Sequence, residues 1–169
     1  MLIHYNPQKR QLFRSLANIE GTSVRPPWAV SEYEFVSKCS SCNKCLDVCN
    51  ESIIVLDSRL QPVIDFEKGE CTFCGDCADV CESGAIDPLL NSLPWSHKVS
   101  FSDKCLSDNN SYCRSCGEVC GQEAIFFKLE SGAIARPQLD LNLCNGCGAC
   151  VSICPTKAIE IFVTSEEVA

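Results

Sequence analysis

The segment Cys71-Thr-Phe-Cys74-Gly-Asp-Cys77-Ala-Asp-Val-Cys81 decides the fold, because it places four cysteines within eleven residues. Its spacing, C-x2-C-x2-C-x3-C, recurs in the groups that begin at Cys39 and Cys144. The group that begins at Cys105 differs only in its first gap, which is widened to seven residues. The chain therefore contains an internal repeat of four cysteine groups, and the repeat uses all 16 cysteines.

The composition leaves room for only a thin apolar core. The hydrophobic share of the 169 residues is 46%, and it falls to about 37% when the 16 cysteines are not counted. Such a cysteine density is typical of a disulfide scaffold or of a metal protein. The first 30 residues contain no apolar run typical of an export signal, and no later run approaches membrane-spanning length. We therefore expect a cytoplasmic protein without a membrane span, whose thiols stay reduced unless a metal holds them.

Charge divides the chain into a basic arm and an acidic body. The net charge is -8, which argues against a nucleic-acid partner, yet residues 1–27 alone carry +3. Asn6-Pro7 is typical of a helix start, and Leu12, Phe13, Leu16 and Ile19 would share one helix face. We expect an N-terminal helical arm over residues 1–34, which either packs on the body or docks a partner.

The repeat continues beyond the cysteines and predicts two modules. A pair of small or aliphatic residues starts four residues after each fourth cysteine, as in Ile53-Ile54. Apolar runs at 53–56 and 62–66, and again at 125–129 and 137–141, predict two hairpins. Each hairpin joins one cysteine group to the next. The predicted fold class is α+β, with a first module at 35–90, a linker at 91–96 and a second module at 97–169.

The spacing C-x2-C-x2-C-x3-C is that of bacterial ferredoxins, in which the fourth cysteine ligates the other [4Fe-4S] cluster of a pair. This rule predicts four [4Fe-4S] clusters and four ligand sets. Set one is Cys39, Cys42, Cys45 and Cys81; set two is Cys71, Cys74, Cys77 and Cys49; set three is Cys105, Cys113, Cys116 and Cys154; set four is Cys144, Cys147, Cys150 and Cys120. Structural zinc fits less well, because its cysteine pairs are separated by longer spacers. A disulfide framework lacks a visible export signal.

The residue after the second cysteine gives a second signal. It is Asn43, Gly75 and Gly148 in the regular groups, and these residue types tolerate the positive φ that a loop around a cluster requires. The third group has Arg114 there, and Gly117 is the candidate to supply the positive φ instead.

Three other features carry weaker expectations. The polar stretch 106–112 in the third group should lie at the surface, where it can shield or present the third cluster, and we expect presentation. His4 and His97 are expected in surface or linker positions. The segment Arg25-Pro-Pro-Trp28 is expected to form an extended anchor whose tryptophan packs on the body.

The two modules resemble tandem bacterial-type 2[4Fe-4S] ferredoxin domains over roughly residues 37–163. The segment 25–28, the widened third group and the closing segment 143–155 together resemble the NapF family, the ferredoxin-type proteins of periplasmic nitrate reductase systems. Unlike in a simple ferredoxin, proline follows the fourth cysteine only at Pro155. The resemblance implies a cytoplasmic accessory protein that binds the molybdenum-containing catalytic subunit of a nitrate reductase in its precursor form. There it would supply electrons or assist iron-sulfur assembly.

A general electron-transfer ferredoxin, which serves a donor and an oxidoreductase, is the alternative function. The sequence contains no nucleotide-binding glycine loop, no nucleophile–base pair and no carboxylate dyad in a distinct setting. We therefore expect no catalytic residues, and an electron-transfer or accessory protein rather than an enzyme.

Overall fold

A computed structural model describes residues 23–90, 93–129 and 134–163. Within these residues the chain forms short helices and strands of an α+β fold. The helices are α1 (Glu32–Lys38), α2 (Lys44–Asp47), α3 (Asp76–Asp79), α4 (Ser115–Glu118) and α5 (Ala149–Ser152). The strands are β1 (Ile54–Leu56), β2 (Pro62–Ile64), β3 (His97–Phe101), β4 (Ile125–Lys128), β5 (Arg136–Leu139) and β6 (Ile159–Val163). The predicted arm helix over the first residues lies outside the described residues.

Both predicted hairpins are present. Strands β1 and β2 are antiparallel with Ile54 opposite Ile64, and β4 and β5 are antiparallel with Ile125 opposite Leu139. The first hairpin turn is closed by Asp57, whose carboxylate accepts backbone N–H groups two and four residues later. Apolar side chains at these paired positions therefore face the module cores.

A third strand pair was not predicted. Strand β3 pairs antiparallel with β6, and Phe101 lies opposite Ile159. This pair joins the two ends of the second module. In the first module the corresponding connection is the isolated bridge between Ala29 and Ile86.

One-turn helices carry the third cysteine of each group. Helices α2, α3 and α5 begin directly after Asn43, Gly75 and Gly148, whose φ values are 64°, 89° and 84°. The predicted positive φ at these positions is confirmed. Helix α4 follows Arg114, which has a φ of -134°.

The expectation that Gly117 would supply a positive φ in the third group is wrong, because the φ of Gly117 is not positive. A Cβ on Gly117 would lie only 2.7 Å from Cε2 of Phe127. Glycine is needed at this position because the Phe127 ring, on β4, packs against the α4 backbone. Its φ is not the reason.

Two apolar clusters form the core, and both include cysteines. The larger cluster, in the first module, contains Val30, Phe35, Cys45, Ile53, Ile54, Ile64, Phe66, Cys77, Ala85 and Ile86. The smaller cluster, in the second module, contains Val99, Ile125, Cys150 and Ile159. Val151 and Ile161 of the second module pack against both clusters. The modules are thus in direct contact.

The segment after residue 23 is packed on the first module. The buried Arg25 guanidinium donates to Glu32 at 2.8 and 2.9 Å and to the Pro62 carbonyl at 3.0 Å, and it lies over the Phe35 ring. Its hydrogen bond also lowers the pKa of the Glu32 carboxyl. The last part of the predicted arm is therefore an anchored segment. None of the helices built from described residues has the length and apolar character needed to cross a bilayer.

Candidate metal centres

Each predicted ligand set lines a pocket of its own. Sets one to four surround pockets of about 350, 400, 360 and 330 Å³ respectively, with the open mouth included. In every pocket three cysteines come from one group and the fourth comes from the other group of the same module. The structure thus brings all four sets together as the crossed pairing requires.

The cysteines differ in their depth. The third cysteine of three groups is buried, at Cys45, Cys77 and Cys150, because its one-turn helix faces the core. The second cysteine is exposed in the first two groups, at Cys42 and Cys74. Each pocket in the first module therefore has an inner sulfur and an outer sulfur.

A second backbone feature repeats in all four groups, and sequence reasoning missed it. The residue three places after each fourth cysteine has a positive φ: 54° at Ser52, 67° at Gly84, 51° at Glu123 and 50° at Lys157. In each case its N–H donates to the carbonyl of that fourth cysteine, at 2.9 to 3.2 Å. The small or aliphatic residue that follows is 1% exposed in every repeat. Only Gly84 gives a sequence signal for this turn.

The pKa values of the thiols show what the pockets require. Burial raises the pKa of Cys45 and Cys116 to about 11, and that of Cys77 and Cys150 to about 12. Without a metal these thiols stay protonated at neutral pH. A metal must displace the proton before the sulfur becomes a ligand.

The donor set fits iron-sulfur clusters. Thiolates are the ligands of such clusters, and each of the four pockets has a largely apolar lining around its four cysteines. Over residues 23–90, 93–129 and 134–163, no three His, Cys, Asp or Glu side chains converge as the ligands of a single ion do. Backbone N–H groups of Phe73 and Ala158 also donate to the sulfurs of Cys71 and Cys154, at 3.4 and 3.2 Å. Hydrogen bonds of this kind tune the reduction potential of a bound cluster.

Two residues of the widened loop, Leu106 and Ser107, line the pocket of the third group. Ser107 is buried, and its hydroxyl donates to the Cys113 carbonyl at 2.7 Å, while Leu106 lines the pocket. Residues 109–112 are exposed, as expected for a surface loop. All four cysteines of set three are only partly exposed. The expectation that the loop presents the third cluster stays a prediction, and the buried Ser107 favours the alternative, in which the loop shields the cluster.

His97 is not a surface residue, contrary to expectation. It is 3% exposed, and its Nε2 lies 2.8 Å from the carbonyl oxygen of Gly146, between the first two cysteines of the fourth group. Because a carbonyl only accepts, Nε2 carries the proton. Burial lowers the pKa of this imidazole and keeps it neutral. The sequence gives no signal for this position, because the contact joins residues 49 apart.

Comparisons with known proteins agree with this geometry. A family model described as "4Fe-4S dicluster domain" matches residues 38–85, and one described as "4Fe-4S binding domain" matches residues 137–160. The chain is 47% identical over 136 residues to "Ferredoxin-type protein NapF" of Haemophilus influenzae, which covers 80% of this chain and 77% of that protein. The protein of the same name from Escherichia coli K12 is 35% identical over 136 residues, with coverages of 80% and 82%.

A relative of lower identity is named for methylamine utilization. "Methylamine utilization ferredoxin-type protein MauM" of Methylobacillus flagellatus is 30% identical over 173 residues, which covers 92% of this chain and 74% of that protein. The cofactors of this chain are [4Fe-4S] clusters, and its 16 cysteines provide ligands for four of them.

Proposed function

The chain belongs to the NapF family of ferredoxin-type proteins, and from this premise we propose an accessory electron-transfer function in a periplasmic nitrate reductase system. Its target is the molybdenum-containing catalytic subunit, bound in the cytoplasm as a precursor before export. There the protein supplies electrons or assists iron-sulfur assembly. One observation carries the proposal: the chain belongs to this family, and its cysteines surround four pockets.

The four ligand sets hold the four clusters. The pockets support this assignment, because each is lined by one complete crossed set. When bound, each cluster supplies one reversible one-electron change, so that an electron taken from a reduced donor passes to an oxidised acceptor without net change in the protein. The chain's own residues hold the sulfurs in place, exclude water on the core side and donate N–H groups to sulfur.

Charge supports a basic partner surface. The chain carries -8 when its cysteines are counted as neutral. Each oxidised cluster with four thiolates contributes -2, so the loaded protein carries about -16. Such a charge favours fast association with a basic surface and predicts that association slows as salt is added. The basic stretch 1–27 has the opposite sign and is a candidate docking element.

The experiment that tests the function is co-purification under anaerobic conditions. A tagged catalytic-subunit precursor, with its export signal intact, is expressed with the full chain or with a chain that lacks residues 1–22. We expect a stable complex with the full chain and a weaker complex without the arm. The processed subunit, which lacks the export signal, is tested in parallel. Its capture to the same extent as the precursor would contradict binding before export.

A second measurement separates the alternative function. A general electron carrier would form no stable complex with the precursor, yet would reduce unrelated acceptor proteins rapidly. The cofactor is tested independently by metal analysis, for which we expect about 16 iron and 16 sulfide per chain. Stoichiometric zinc without sulfide would refute the cluster assignment.

A further inference from the structure

We propose that the four ligand sets form one row in the order one, two, four, three, so that sets one and three are its two ends. The inference rests on the proposed cluster function and deepens it, because it gives the clusters an order in space. This order differs from the order of the cysteine groups along the chain. It follows from three junctions between neighbouring sets.

Two junctions lie inside the modules. In the first module, Cys45 of set one and Cys77 of set two are buried in one core cluster, on the contacting helices α2 and α3. In the second module, Cys116 of set three and Cys150 of set four lie in or against the other cluster, on the contacting helices α4 and α5.

The third junction crosses between the modules. The backbone N–H of Cys71, in set two, donates to the backbone carbonyl of Cys147, in set four, at 2.8 Å. Two predicted ligands from different modules are therefore joined through a single backbone hydrogen bond.

Side chains from both modules pack closely around this hydrogen bond, and they hold the loop of the fourth group near the first module. A Cβ on Gly148, the residue after Cys147, would lie 1.9 Å from Cδ1 of Phe66 in the first module. The Phe66 ring also contacts the rings of Trp95 and His97, at centroid distances of 5.6 Å each. His97 in turn holds the Gly146 carbonyl of the same cysteine loop. An aromatic group thus fixes the fourth group's loop against the first module.

The segment before β3 fixes the same junction from the other side. The Trp28 N–H donates to the Pro94 carbonyl at 2.9 Å, and the Trp95 Nε1–H donates to the Arg25 carbonyl at 3.0 Å. The predicted linker is therefore anchored on the first module at its final residues, two residues before His97 reaches the second. Sets two and four face each other across this anchored boundary.

Magnetic coupling between reduced clusters tests the order, because the dipolar interaction between two paramagnetic groups falls with the cube of their separation. One double variant, Cys42→Ala with Cys113→Ala, removes a ligand from sets one and three and keeps sets two and four. Its matched counterpart, Cys74→Ala with Cys147→Ala, removes the same motif position from sets two and four. Both variants should retain about eight iron per chain.

We expect the reduced variant that keeps sets two and four to show an electron paramagnetic resonance spectrum split by coupling. The variant that keeps sets one and three should show loss of that splitting. A coupled spectrum from sets one and three, or an uncoupled spectrum from sets two and four at full iron content, would overturn the order. A wild-type chain without about 16 iron would instead refute the proposed cluster function.

A second comparison uses the fully loaded protein and does not depend on the double variants. Gly148→Ala adds both an unfavourable φ and a collision with Phe66, whereas Gly75→Ala adds the same unfavourable φ with no atom within 4 Å of the new Cβ. At equal iron content, we expect reduced coupling in Gly148→Ala relative to Gly75→Ala. Equal coupling in the two variants would show that the Gly148–Phe66 approach does not set the distance between sets two and four.

Discussion

At the scale of single residues, the position three places after each fourth cysteine shows how the repeat uses strained backbone. Three of its four occupants, Ser52, Glu123 and Lys157, are not glycine, yet all have φ values near 50°. Such a conformation costs about 1 kcal/mol for a residue with a Cβ. The cost is tolerated because the turn keeps the fourth cysteine at its pocket and delivers the next side chain to the core.

Gly84→Ala should therefore destabilise the loaded protein by about 1 kcal/mol. A Cβ on Gly84 meets no atom within 4 Å, so the cost is that of its φ of 67° alone. Gly121→Ala is the matched control, because its Cβ is also free of contacts and its φ is not positive. Anaerobic denaturant unfolding measures both changes, and an equal effect of the two substitutions would contradict the explanation.

The crossed ligand sets make a residue-level prediction. Cys49→Ser should damage the cluster held mainly by the second group, and Cys81→Ser should damage the cluster held mainly by the first. The reason is that Cys49 lines the pocket of Cys71, Cys74 and Cys77. Iron analysis with spectroscopy of each variant identifies the lost cluster. Loss of the cluster of the variant's own group would refute the crossed pairing.

Cluster release should depend on pH. Burial raises the pKa of Cys77 and Cys150 to about 12, so protons compete with iron for these sulfurs at every lower pH. Loss of iron to a chelator should therefore accelerate as pH falls, by up to about tenfold per unit if one protonation limits the rate. The loss of cluster absorbance between pH 6 and 8 measures this. Faster release at the higher pH would contradict the prediction.

At the scale of elements, residues close in sequence were enough to predict the hairpins and the turns before the helices, but not the pairing of distant strands. The two hairpins and the positive φ at Asn43, Gly75 and Gly148 follow from residues close in sequence, and both were predicted. The β3–β6 pair was missed, because it joins strands about 60 residues apart and β3 itself has a mixed pattern. Gly117 was misread, since sequence does not distinguish a glycine needed for φ from one needed for close packing.

The widened loop of the third group provides the element-level prediction. Ser107→Ala removes the hydrogen bond from the hydroxyl to the part-buried Cys113 carbonyl, at a cost of about 1 kcal/mol. We expect faster loss of iron from set three in air, because the loop that lines part of its pocket is loosened. Ser111→Ala is the control, because Ser111 is exposed in the same loop. Unchanged oxygen sensitivity of Ser107→Ala would show that the loop does not shield the cluster.

At the scale of the whole molecule, the two modules repeat the same sites on unequal cores. Among residues 23–90, 93–129 and 134–163, the first core cluster has ten buried members, whereas the second has four, and one of those is Cys150. Apolar burial scales with the number of such residues, so the second module depends more on its clusters for stability. Val151 and Ile161 pack against both clusters, so the two cores share an apolar contact.

Cluster removal should therefore unfold the second module before the first. When clusters are removed anaerobically by a chelator, binding free energy that contributed to folding is lost, and the smaller core has less to replace it. We expect backbone amides of residues 97–129 and 134–163 to lose hydrogen-exchange protection while part of the protection at residues 24–87 remains. Mass spectrometry of exchanged peptides at increasing iron loss measures the order. The loaded protein incubated without chelator is the control for exchange that does not depend on the clusters. Simultaneous loss of protection in both modules would show that they unfold as one unit. Loss in the first module before the second would show that the size of the apolar core does not decide which module needs its clusters.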